Sequence, residues 1–138
     1  MSAAPPDLPL AAAPAPAVVI STAGAPLPAD GASFCLRDWR GSGPATLHVH
    51  HEDDEAWHVL EGTLRFRFID GPREAPAGTT VFVPAGVAHT YEAPPPARYL
   101  LILTPRLRDL IAALQGARDP LAQAAIYRRY RSELLETG

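Results

Sequence analysis

Short β-prone runs, each closed by glycine or proline, follow one another from residue 17 to about 104 and constrain this chain most. The clearest is Leu64-Arg65-Phe66-Arg67-Phe68, which sets three apolar residues on one strand face and two arginines on the other. It ends at Asp70-Gly71-Pro72, a tight-turn signal. The other runs cover residues 17–21, 33–39, 79–83, 89–92 and 98–103. Many short strands with such punctuation predict an all-β sandwich or small barrel.

After residue 104 the period changes. Thr104-Pro105 is an N-cap followed by a first-turn proline, and Leu107, Leu110, Ile111 and Leu114 then form one apolar stripe. Gly116 is placed to stop that helix, and Asp119-Pro120 repeats the start signal. The second helix is expected to run through Ile126, Tyr127, Tyr130 and Leu134, with Arg128, Arg129 and Arg131 between them. The two helices either cover the barrel mouth or meet a second subunit. Residues 1–16 are mostly alanine and proline, too poor in large apolar side chains to offset ordering entropy, and are expected to form a flexible arm. The expected division is therefore an arm over 1–16, a barrel over 17–104 and a helical extension over 105–138.

Length and charge narrow the function. A chain of 138 residues supports one domain, and a net charge of −3 gives no basic excess for a nucleic-acid backbone. There is no lysine, which removes Schiff-base and P-loop chemistry, and no asparagine to glycosylate. The single Cys35 excludes an internal disulfide, fits a reducing cytosol and is expected to pack within a strand. No apolar run approaches the ~20 residues of a membrane span. The first residues lack the basic and apolar regions of a signal peptide, so a cytoplasmic location is expected.

Four of the five histidines, His48, His50, His51 and His58, fall within eleven residues, and His89 is the fifth. In a strand, His48 and His50 share a face. On the next strand Glu55, Trp57 and Val59 share one face, and Ala56, His58 and Leu60 the other, so Glu55 can look inward where His58 cannot. His89 follows a Pro-Ala-Gly turn and shares its face with Tyr91 and Ala93. Three neutral imidazoles and a carboxylate suit one divalent transition metal, Fe, Mn, Ni, Co or Zn. Octahedral coordination would leave two positions open for substrate, oxygen or water. Asp54 is the rival to Glu55 if the loop is one residue shorter, Asp53 is read as a solvated loop charge, and His51 as a loop residue. His58 is expected at an interface or as a satisfied core histidine.

These residues resemble the cupins. The first cupin motif is matched by His48-x-His50, four residues, Glu55, six residues and Gly62. The second is matched by Gly78, five residues, Pro84-Ala85-Gly86, two residues and His89. Two positions depart: Ser42 stands where the first motif opens on glycine, flanked by Gly41 and Gly43, and Ala93 where the second closes on asparagine. The first shifts only a loop, and in this family the asparagine is not a ligand. The resemblance spans roughly residues 33–104. It implies a double-stranded β-helix, the jelly-roll barrel of cupins, with His48, His50, Glu55 and His89 as metal ligands and a homodimer as the assembly. The edge near residues 17–22 is the expected swapping element. Gly62, Gly86 and Pro84 would serve the backbone beside the site.

Trp57, Phe66, Phe68, Phe82 and Tyr91 are inward by strand parity. Those near the metal (Trp57, Phe66, Phe82 and Tyr91) would line a pocket for an apolar or aromatic small molecule. Arg65 and Arg67 should face outward, leaving Arg37 and Arg98 as the inward cations available to a phosphate. The resemblance to quercetinase-type cupins implies a dioxygenase-like oxidoreductase, with Glu55 and Tyr91 as proton-transfer groups. A non-redox metal-dependent isomerase, lyase or cyclase is the alternative, and a non-enzymatic ligand- or metal-binding cupin the third reading.

Overall fold

The computed structural model describes residues 17–22, 27–43 and 46–136. Residues 1–16, where the arm is expected, lie outside the described residues. Among the described residues the order is β1 (Pro28–Asp30), β2 (Cys35–Gly41), β3 (His48–His50), β4 (Glu55–Glu61), β5 (Thr63–Phe68), β6 (Gly71–Pro76), β7 (Thr80–Val83), β8 (His89–Glu92), β9 (Ala97–Leu103), α1 (Pro105–Leu114), α2 (Pro120–Arg129) and β10 (Ser132–Leu134). Two five-stranded antiparallel sheets face each other, ordered β1-β2-β9-β4-β7 and β10-β3-β8-β5-β6. This is the expected all-β jelly roll with a C-terminal helical extension.

Side-chain parity builds the core. In β9, Ala97, Tyr99, Leu101 and Leu103 point inward, and Trp57 and Val59 of β4 and Leu64 and Phe66 of β5 meet them, all fully or almost fully buried. Burying each large side chain contributes about 1.5–3 kcal/mol of transfer free energy. Arg65 and Arg67 point outward as expected and pair with Glu74, Glu92 and Glu136. Arg37 pairs with Asp30, and Arg98 with Asp38 and Glu61, so neither forms an inward anion site. Cys35 is buried in β2 as expected. Gly62, at φ +79°, makes the β4–β5 turn where a Cβ would press on Ala97 at 3.2 Å.

Three expectations fail. Phe82 is 62% exposed. Directly opposed antiparallel residues share a sheet face, and Phe82 opposes Ala56, whereas Val83 opposes Glu55 and Val81 opposes Trp57. The inward residues of β7 are therefore the two valines. Residues 17–21 form no strand, and Val18 and Ile20 are 88% and 87% exposed. The second helix stops at Arg129: Arg131 adopts φ 60°, and Ser132–Leu134 pair with β3 as β10. Leu134 is thus a strand residue, and the extension beyond residue 105 is not wholly helical. The strand β6, which none of the sequence runs covers, carries no hydrophobic alternation; it is an edge strand, where Pro72 and Pro76 are tolerated.

The helix starts behave as expected. Thr104 Oγ1 accepts from Leu107 N–H, and the Asp119 carboxylate from Ala122 N–H. Leu107 and Leu110 turn the apolar stripe of α1 onto the barrel. Neither helix is long and apolar enough to cross a membrane.

Candidate metal centre

β3 is only three residues long, and all three are buried. It lies between β10 and β8, and the β3–β8 register sets His48 directly opposite His89. The three imidazoles meet at one point. Their ring centroids are 4.8 Å (His48–His50), 4.5 Å (His48–His89) and 5.4 Å (His50–His89) apart, and one ring nitrogen of each lies within 4.8 Å of the others. Glu55, first residue of β4, brings Oε1 to 3.4 Å from both His50 Nε2 and His89 Nε2.

The outer nitrogens are all committed. His48 Nδ1 lies 3.0 Å from the Thr46 carbonyl and His89 Nδ1 2.9 Å from the Val87 carbonyl. A carbonyl only accepts, so both rings carry their proton on Nδ1. His50 Nδ1 lies 2.7 Å from Ser132 Oγ, whose own proton goes to the Tyr130 carbonyl at 3.3 Å. Ser132 therefore accepts, and His50 takes the same tautomer. All three Nε2 lone pairs then face inward, towards a carboxylate that also offers lone pairs. His89 Nε2 and Glu55 Oε1 are buried without a hydrogen-bond partner. Four acceptors converging with no donor are a cradle for a cation, and three imidazoles with one carboxylate fit a divalent transition metal.

Electrostatics favour the ligating protonation states. Burial, reinforced by the neighbouring His89 and His50, pushes the His48 pKa down to about 3. The folded His48 value lies below the ordinary one, so the unfolded chain binds its proton first as pH falls. Stability is intact above about 6.5 and is lost progressively on acidification as His48 takes up its proton only on unfolding. Metal-free protein is therefore expected to lose on the order of 3 kcal/mol by pH 4, read from urea midpoints at pH 7, 5 and 4. A pH-independent midpoint would contradict the buried placement of His48.

The remaining candidates fall outside the cluster. His51 is exposed beside Glu133, and His58 turns away to bond Thr80 Oγ1 at 2.7 Å. Asp54 is no rival to Glu55: it is exposed and accepts from Ala85 N–H in the turn before His89. Asp53 is not a solvated charge. It is buried, accepts from Thr104 Oγ1 at 3.0 Å and pairs with Arg106, tying the loop between the ligand strands to the start of α1.

A cavity of about 460 Å³ opens above His48, His50 and Glu55, within the range of small-molecule sites. Trp39, Tyr91 and Tyr99 wall it from the barrel. Leu107, Leu110 and Ile111 of α1 and Tyr127 of α2 close it from above, so the extension covers the mouth. Tyr127 packs on His48 with centroids 5.4 Å apart, and burial followed by the Glu55 charge raises its phenol to about 12. Of the four expected pocket residues, only Tyr91 lines the cavity. Trp57 and Phe66 form the core beneath it, and Phe82 faces outward.

Sequence reasoning missed Ser132, Tyr99 and Tyr127. Parity with Leu101 and Leu103 was the available signal for Tyr99; nothing local marks Ser132 as the partner of His50. Replacing Ser132 by alanine is expected to weaken metal binding ~10–100-fold while the fold persists, because His50 loses the group that orients its ring. Competition titration with a chromogenic chelator measures this. Affinity within a factor of two of the parent would exclude that orienting role.

Residues 39–103 match the family model of the cupin domain. No curated protein matches the chain. Among solved structures, a cupin-2 domain protein from Shewanella frigidimarina is similar, with 26% identity and a TM-score of 0.51, covering 60% of this chain and 82% of that one. A Neisseria meningitidis protein has 22% identity and a TM-score of 0.50, covering 62% and 88%, and shows likeness of fold.

Proposed function

From the premise that this chain belongs to the cupin superfamily, we propose that it is a metal-dependent, dioxygenase-like oxidoreductase acting on a small apolar or aromatic molecule. The observation that carries this is the unpartnered convergence of His48, His50, His89 and Glu55 on the floor of an apolar cavity. A divalent transition metal held by these four residues would supply Lewis acidity and, if redox-active, an electron-transfer centre. The chain does the rest. Leu107, Leu110, Ile111 and Trp39 exclude water and select an apolar body. Glu55 turns a buried, unpartnered carboxylate oxygen to the cavity floor and is the group placed to receive a substrate proton. Tyr91, its phenol kept protonated chiefly by burial, is a donor across the same space.

Elemental analysis of protein purified without chelator, followed by oxygen-electrode assays with catechols, flavonols and diketones under Fe(II), Mn(II) and Ni(II), tests the reading. Oxygen uptake matched to substrate loss is the expected result. Substrate loss without uptake replaces it with a metal-dependent isomerase or lyase. No turnover with any metal, but a ligand-dependent rise in Tm, replaces it with a binding protein. The proposal includes a homodimer, for which the exposed apolar Val18 and Ile20 offer a surface to a second copy; sedimentation of V18D/I20D against the parent tests that assembly.

A further inference from the structure

The segment His51-Glu52-Asp53 runs from the end of β3, at His50, towards Glu55, the first residue of β4, so a candidate ligand stands close on either side of it. It reaches both ends of the helical cover. At the near end, Asp53 Oδ1 accepts from Thr104 Oγ1 at 3.0 Å, and the same Thr104 oxygen accepts from the Leu107 N–H at 3.2 Å. Leu107 is buried and walls the cavity. Arg106, in the first turn of α1, bridges Glu52 at 3.3 Å and Asp53 at 3.4 Å. At the far end, the His51 N–H donates to the Arg131 carbonyl at 2.9 Å, and Glu52 pairs with the Arg131 guanidinium at 2.8 Å. Arg131 is the one non-glycine residue at positive φ among the described residues, and Ser132 beside it orients His50.

Three consecutive residues thus hold residues 104–131 at both ends. The Glu52 side chain is 49% exposed, and ion pairs in that setting contribute little. Asp53 is 7% exposed, and its carboxylate faces the positive end of α1, so it dominates the tie. Resting on the reading of the four converging side chains as a cation site, we infer that Asp53 is a positioning residue that couples this site to closure of the α1–α2 cover over the cavity. A cation fixes His50 and Glu55, the loop between them loses freedom, and both ends of the cover are restrained with it. By linkage the closed cover favours the cation by the same factor. The apolar cavity is therefore best sealed from water when the metal is in place.

Hydrogen exchange read by mass spectrometry, on the full chain without zinc and at saturating zinc, tests this. In the parent, zinc is expected to slow exchange across residues 105–129 by ~5-fold or more. In Asp53→Ala, with zinc still bound, the slowing is expected to fall below ~2-fold. Asp53→Asn keeps an acceptor for Thr104 but drops the charge facing Arg106, and is expected to fall between. Asp119→Ala is the structural control: it removes the cap of α2, and should speed exchange there with and without zinc alike while keeping the zinc-dependent factor. The inference is overturned if zinc leaves the parent's helices unchanged, if either Asp53 variant keeps the full parental factor, or if Asp119→Ala loses it as completely as Asp53→Ala. Failure of the parent to bind zinc overturns it together with the metal centre. Zinc-dependent protection governed by Asp53, without oxygen uptake or turnover, retains it and discards only the oxidoreductase reading.

Discussion

Replacing His89 by alanine is expected to reduce bound divalent metal to below about a tenth of the parent's content, with activity falling in step. The loss should exceed the ~10–100-fold in affinity that removal of an outer hydrogen bond costs, because a direct nitrogen donor disappears. His89 is the case to choose. Its Nε2 is buried without a partner, its Nδ1 is held by the Val87 carbonyl, and its ring lies against both His48 and Trp57. The side chain is therefore fixed in one orientation, with no hydrogen-bond partner for its Nε2 among the described residues. Elemental analysis after extensive dialysis gives the reading, with far-UV circular dichroism confirming the fold. A His89→Ala chain that keeps full metal content would remove the centre described above. Glu55→Gln is expected to lose less metal, since the amide oxygen can still coordinate, but to lose proton transfer from substrate.

The second large effect concerns stability. Trp57→Ala is expected to cost about 3–5 kcal/mol, a fall in Tm of roughly 10 °C or more for a domain of this size. Trp57 is fully buried where the metal centre meets the core. Its ring packs edge-on against Phe66 at 5.0 Å, Tyr91 at 5.3 Å and His89 at 5.6 Å. Truncation opens a cavity beneath a metal ligand, so the variant should also bind metal more weakly than the parent under conditions where both are folded. Chemical denaturation of the metal-free proteins separates the two consequences. A loss below about 1 kcal/mol would mean that neighbouring side chains collapse into the space, and that Trp57 is not the floor.

Most of the candidate ligand set was legible because the steps towards it were local, while His89 joins through the β3–β8 pairing and was supplied by the resemblance to the cupins. Strand parity pairs His48 with His50, sets Glu55 with Trp57 and turns His58 away, and β3 and β4 do just that. The alternation of Leu64, Phe66 and their arginines was equally plain. What stayed hidden depends on partners distant in sequence. The facing of Phe82 is set by which β4 residue it opposes, not by its own run. Asp53 looks like any loop aspartate until Thr104 and Arg106 arrive on α1. β10 continues an apparently helical pattern and is a strand because β3 offers it an edge after Arg131 turns the chain. Residues 17–21 have strand-like side chains but form no strand.

The bond between His50 and Ser132 joins residues 82 positions apart. During synthesis His50 leaves the ribosome long before the serine that orients it. The nascent barrel can therefore gather its imidazoles, but it cannot acquire a fully ordered cation-binding geometry until the final strand has emerged. The ordered ring of His50 therefore waits for β10, and a chain cut before Ser132 would present its imidazoles without that restraint.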